Sequence, residues 1–195
     1  TIAEAIILLD RLSGTIIDKA GTYRDQVIDG NLVIRSSGVV LENVTVKGQI
    51  YVTPGVGNGE LHLQGVEGSG TLHINGGGVN SIYLANSKFK HVIVNKLGGK
   101  VRVVLTKQTT IEQLVAEHDA IIELTEDTLI ESLAYLQGAA GSEFKGKGSI
   151  KKLINEAGIT LPDIYKHLAE ADHRTETDTG GGSSMTPSSP RPSSS

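Results

Sequence analysis

The sequence predicts an all-β fold, a right-handed parallel β-helix of about five or six coils with short helical caps at both ends. Three observations carry that prediction. A strand-sized apolar phrase returns about every twenty residues, as Asn31-Leu32-Val33-Ile34, Gln49-Ile50-Tyr51-Val52, Thr71-Leu72-His73-Ile74 and His91-Val92-Ile93-Val94. Its first apolar residues, Leu32, Ile50, Leu72 and Val92, are 18, 22 and 20 apart, and Leu114 and Leu133 follow after 22 and 19. A second column keeps the same time: Leu41, Leu63, Leu84 and Leu105 are 22, 21 and 21 apart. Between these phrases sit Gly and Asn, the residues that let a strand turn a corner. At about 4.8 Å per coil, five or six coils make a rod roughly 25–30 Å long.

An antiparallel sandwich also has short strands and frequent turns, but its strands need no shared register over twenty-residue steps. A leucine-rich repeat demands Leu-x-x-Leu-x-Leu spacing and a helical solenoid a 3.6-residue period, and residues 27–108 show neither.

Residues 1–14 read as a short helix, with Thr1 as N-cap, Glu4 at the capping-box position and Gly14 as the stop. Residues 15–148 carry the β-helix. Over 149–173 two helical patterns are expected, Ile150-Lys151-Lys152-Leu153-Ile154 and then Leu161 to Leu168, with Pro162 in a first turn. An open end of a β-helix exposes unpaired backbone and apolar core, so these terminal helices serve as lids. Residues 174–195, rich in Thr, Gly, Ser and Pro, cannot build a core and read as a linker to a covalently attached neighbouring domain.

Composition narrows the function. The net charge of −4 argues against nucleic acid or an anionic membrane as partner, since both ask for a basic face. The cluster Lys145, Lys147, Lys151 and Lys152 is the local exception and reads as a solvated approach to a helix. No apolar run reaches the roughly 18 residues of a membrane span. The absence of Cys excludes a disulfide framework and a Cys-based metal site. Glycine, 24 of 195 residues, falls mostly between the apolar phrases, where coils bend.

Alternation identifies the side chains that leave the coil. With Leu32, Ile50, Leu72 and Val92 inward, Val33, Tyr51, His73 and Ile93 form one outward ladder, flanked by Asn31, Gln49, Thr71 and His91. The next strand of each coil turns out His62 and Gln64, then Tyr83 and Ala85, then Arg102 and Val104. A face of Tyr, His, Gln and Thr suits a glycan, whose rings stack on aromatics and whose hydroxyls take bidentate polar partners. Tyr51, His73, Gln49, Thr71, His62, Tyr83 and Gln64 are therefore the candidate carbohydrate-binding residues, with Tyr51 and Tyr83 as stacking platforms.

Gly55-Val56-Gly57-Asn58-Gly59 and Gly76-Gly77-Gly78 read as turns. A phosphate loop must open a helix, whereas Glu60-Leu61-His62-Leu63 alternates as a strand. His62 and His73 lie 11 apart on different strands and make no metal pair. Calcium would have to use Asp25, Asp29 and Glu42, or Glu117, Asp119, Glu126 and Asp127, since no calcium-loop motif is present. A catalytic carboxylate pair on adjacent coils is not expected, because Glu42 aligns over Gln64 and Ala85.

The opening Thr1-Ile2-Ala3-Glu4-Ala5 and Leu9-Asp10-Arg11-Leu12 resemble the end of a bacterial surface-layer homology repeat. Ile2 stands where that phrase usually has arginine, so the wall-gripping role of that arginine does not carry over. Ala20-Gly21-Thr22-Tyr23, Leu41-Glu42-Asn43-Val44-Thr45-Val46-Lys47-Gly48, Gly55 to Gly59 and Gly76 to Ile82 are similar to carbohydrate-binding module family 54. That β-helical module neighbours surface-layer repeats in Gram-positive surface glycanases. The resemblance implies an extracellular position at a bacterial cell surface, binding of insoluble polysaccharide of the β-glucan, xylan or chitin type, and calcium as a cofactor. The expected function is a non-catalytic module that tethers a secreted glycanase to its substrate. A structural spacer of the surface layer is the alternative, and a β-helical lyase or hydrolase comes last.

Overall fold

A computed structural model describes residues 14–169, so the helix expected at the amino terminus, apart from Gly14, and the tail expected over 174–195 lie outside the described residues. In chain order the strands are β1 (Thr15–Ile17), β2 (Gly21–Ile28), β3 (Leu32–Ile34), β4 (Val39–Val46), β5 (Ile50–Val52), β6 (Leu61–Gln64), β7 (Glu67–Ile74) and β8 (Tyr83–Ala85). They continue with β9 (Lys88–Val94), β10 (Val101–Thr106), β11 (Thr110–Ala116), β12 (Ala120–Leu124), β13 (Leu129–Tyr135), β14 (Glu143–Gly146) and β15 (Ser149–Asn155). Their pairings are parallel and join one coil to the next, giving a β-solenoid of about seven turns.

The two leucine columns of the sequence are two of the ladders, residue for residue. Leu32 pairs with Ile50, Ile50 with Leu72, Leu72 with Val92, Val92 with Leu114, and Leu114 with Leu133. On the second side Leu41, Leu63, Leu84, Leu105 and Leu124 align in the same way. All of these side chains are buried, each contributing about 1.5–3 kcal/mol of apolar transfer.

Three corners close each coil. Between the second and third sides the backbone takes a left-handed conformation at Asp25, Asn43, Gly65, Asn86 and Gln108, with φ between 48° and 63°. Asn, Asp and Gly are the residues that tolerate it at least cost. Inside this corner runs a column of buried hydroxyls, Ser87, Thr109 and Thr128. Each donates to a backbone oxygen, as Thr109 Oγ1 does to Leu84 at 3.0 Å and Ser87 Oγ to Ala85 at 2.8 Å, so this column of hydroxyls is satisfied.

Between the third and first sides a single strand bends around the corner with two consecutive residues turned out. Lys90 and His91 do so in β9, Glu112 and Gln113 in β11, and Lys151 and Lys152 in β15. The inward residues flanking them are therefore three apart: Phe89 and Val92, Ile111 and Leu114, Ile130 and Leu133, Ile150 and Leu153. This corrects the carboxy-terminal cap. Ser149–Asn155, expected as helix, is strand β15 on β13, and its helical-looking spacing is the signature of the bend. The β-structure thus runs to Asn155 instead of residue 148.

The helical lid begins later than expected. A 3₁₀ turn at Asp163–Tyr165 follows Pro162 and passes into a helical turn over 166–169. Ile159, Leu161 and Tyr165 are buried against the last coil, and the Tyr165 hydroxyl donates to the Gly148 carbonyl at 2.5 Å. The five or six expected coils become about seven because the first and last were not recognised. In β2 only Tyr23 and Ile28 show the apolar alternation, and in β15 the bend disguises it.

Candidate functional site

The third kind of corner, between the first and second sides, carries the segments that vary in length. Four residues, 35–38, connect β3 to β4, whereas eight connect β5 to β6 and β7 to β8, and six connect β9 to β10. In a solenoid, insertions of this kind collect on one edge, which is often the binding edge. The loops are themselves stacked. Gly77 N donates to Gly57 O at 2.7 Å, and the buried Ser81 Oγ donates to Gly59 O at 2.6 Å. At Gly76 a Cβ would lie 2.1 Å from Thr53 O, so only glycine permits this approach.

These loops enclose an open cleft of about 480 Å³ lined by Pro54, Gly57, Asn58, Asn75, Gly76, Asn95, Lys96, Leu97 and Gly98. Its amides are held in a chain across coils. Asn75 Nδ2 donates to Asn95 O at 2.8 Å, and Asn95 Nδ2 donates to Glu117 Oε2 at 2.5 Å. Lys96 Nζ donates to Asn58 Oδ1 at 3.0 Å. The Oδ1 atoms of Asn75 and Asn95 and the Nδ2 of Asn58 have no partner among the described residues, giving acceptors and a donor on fixed side chains. Leu97, 75% exposed, and Pro54 add apolar surface, and the neighbouring loop exposes Val79.

Two other clefts differ in charge. One of about 250 Å³ mixes Glu67, Lys88, Lys90 and Glu112. One of about 410 Å³ lies by the lid and contains Glu143, which is already paired with Lys100 at 2.8 Å and Lys145 at 3.0 Å. Carboxylates are absent from the lining of the amide cleft.

The residues expected to bind sugar fall on two sides of the solenoid. Tyr51 and His73 stand on the first side, with Gln49 and Thr71 at its corner, and His62, Gln64 and Tyr83 on the second. His62, His73 and Tyr83 are half-buried, but Val33 and Tyr51, expected on the outward ladder, are buried, and two expected stacking platforms are corrected. Tyr51 is 5% exposed and its ring stacks on His73 with centroids 4.8 Å apart. Tyr83 stacks on His62 at 4.6 Å, and the Arg102 guanidinium lies 5.9 Å from its centroid. Residues in register one coil apart spend their ring faces on each other along the solenoid, so a pyranose meets ring edges. Gln49 likewise serves the corner: its Oε1 accepts from Thr71 N at 3.2 Å and lies 3.0 Å from His73 Nε2. Gln64 is exposed.

The carboxylates considered for calcium have separate partners. Asp25 Oδ1 accepts from Asn43 Nδ2 at 3.2 Å, Glu42 pairs with Arg24 at 3.2 Å, and Asp29 with Lys47 at 2.6 Å. The Lys47 hydrogen bond and charge hold the Asp29 carboxyl below its ordinary range. Asp127 is lowered in the same direction, chiefly by the hydrogen bond from Thr125. Among the described residues no three His, Asp or Glu converge as a metal site. Glu42 is in register with Gln64 and Gln64 with Ala85, so the carboxylates form no ladder there.

The amide cleft was missed at the sequence level because its loops were read as turns and nothing more. A signal was present in the lengthening of the repeat from 18 to 22 residues where Gly55 to Gly59 enters. No family model, no curated protein and no solved structure matches this chain.

Proposed function

We propose that this chain is a non-catalytic polysaccharide-binding module, which tethers an attached glycanase to insoluble substrate at a bacterial cell surface. The observation that carries the reading is the solvent-open cleft, where pre-positioned Asn58, Asn75 and Asn95 amides meet the apolar Pro54 and Leu97. Binding sites combine apolar lining with a few placed polar groups in this way, and amides match the paired hydroxyls of a sugar. Tethering raises the local concentration of a linked enzyme without any chemistry in the module itself. The binding edge is the loop edge, in place of the aromatic ladders.

The test is retention of the purified chain on insoluble β-glucan, xylan and chitin. The wild type is expected to be retained on at least one, and the Asn58→Ala/Leu97→Ala variant to bind that polymer about tenfold more weakly, ~1.4 kcal/mol. Retention on none of the three leaves the surface-layer spacer as the better reading. Release of reducing or unsaturated sugar ends replaces it with an enzyme.

A further inference from the structure

We infer that the cleft takes a carboxylate-bearing glycan, a polysaccharide containing uronic acid residues, an inference that rests on the polysaccharide-binding reading above. Lys96 lies in the lining and makes no ion pair among the described residues. Its Nζ is aimed by Asn58 Oδ1, which uses one ammonium proton and leaves the others, together with the Asn58 Nδ2 protons, to an acceptor. An ammonium beside an amide N–H₂ is a charge-assisted pair of donors that a carboxylate satisfies more fully than a neutral hydroxyl. Two carboxylates of the loop edge are otherwise engaged: Glu117 accepts from Asn95, and Glu60 turns toward His62 at 3.4 Å.

A second cation stands on the same edge. Arg35, which follows β3 and is exposed, also lacks a carboxylate partner among the described residues. It is three coil steps from Lys96, or about 14 Å. A polymer lying along the edge would therefore meet two free positive charges with amides between them. Elsewhere Arg24, Lys47, Arg102, Lys147 and Lys151 are matched by carboxylates, and Lys88, Lys90, Lys107 and Lys152, which make no ion pair among the described residues, lie outside the lining of the cleft.

The experiment measures affinity for glucuronoxylan and for the same polymer after chemical reduction of its carboxyl groups, with dextran sulfate as a polyanion without uronic acid. Native polymer is expected to bind five- to tenfold more tightly than the reduced one, with a preference that shrinks as salt rises. Lys96→Met should abolish the preference and Lys96→Arg keep it. Asn58→Asp, which adds a negative charge, should reverse it. Equal binding of native and reduced polymer overturns the inference while leaving polysaccharide binding intact. Binding to neither overturns the inference, while polysaccharide binding falls only if β-glucan and chitin also fail to retain the chain, and dextran sulfate binding as tightly as glucuronoxylan reduces Lys96 to non-specific attraction and overturns the inference.

Discussion

Tyr135 carries its hydroxyl into the apolar interior, fully buried and with no hydrogen-bond partner among the described residues, beside Phe144 at 6.5 Å. Burial pushes its ionisation far above the ordinary tyrosine range. An unpartnered buried hydroxyl costs about 1–3 kcal/mol in lost hydration. Tyr135→Phe removes that cost and keeps the ring, so it is expected to raise the urea midpoint, corresponding to about 1–2 kcal/mol of added stability. A fall in stability would mean that the hydroxyl has a partner in solution. At this same scale the sequence was only half legible. Alternation along a strand shows that Tyr51 and Tyr83 face outward, because that depends on neighbours two residues away. That each ring stacks on a histidine 21 or 22 residues off depends on the register between coils, which alternation within one strand does not reveal. Lys96 was unreadable for a similar reason, since its significance comes from the carboxylates that do not surround it.

At the scale of the element, the loops around the cleft hold their shape through backbone approach. Gly76 and Gly57 separate two effects. A Cβ at Gly76 would sit 2.1 Å from the Thr53 oxygen, whereas at Gly57 nothing lies within 4 Å and only the φ of 62° opposes a side chain. Gly57→Ala is therefore expected to cost about 1 kcal/mol, the ordinary penalty of a left-handed residue. Gly76→Ala should cost more than about 2 kcal/mol and disturb the cleft, because the two loops must part. Chemical denaturation and polymer retention of both variants measure this; equal effects would show that the loops move apart freely. The bent strands were the hardest elements to read. Ile150 and Leu153, three apart with Ile154 beside them, satisfy a helical template, and one coil alone gives no reason to prefer a strand. The same three-residue step at Phe89, Ile111 and Ile130 was available as a repeat and resolves the ambiguity. The two leucine columns were legible because every coil repeats them in phase.

At the scale of the molecule, ion pairs join coils that are not adjacent in the chain. Glu143 in β14 accepts from Lys100, which precedes β10 two coils earlier, as well as from Lys145. The hydrogen bond from Lys100, reinforced by Lys145, holds its carboxyl below the ordinary range. A group depressed in the folded state stabilises above its unfolded pKa and loses that contribution as pH falls through its folded value. Stability is thus expected to decline from about pH 5 to pH 3, and to decline less steeply in Glu143→Gln. Urea midpoints across that range test it, and identical slopes would assign the acid sensitivity to other carboxyls.

The ladders that unite the turns have a mechanical consequence. The first coil and the lid are at opposite ends of the rod, so a pull between them acts across the interstrand hydrogen bonds and opens them one after another. Such a load unzips the rod instead of shearing it. Each turn surrendered would release about 20 residues, roughly 70 Å of slack chain, and a polymer gripped by the loops of turns in the middle would be dropped only after the turns flanking it had come undone.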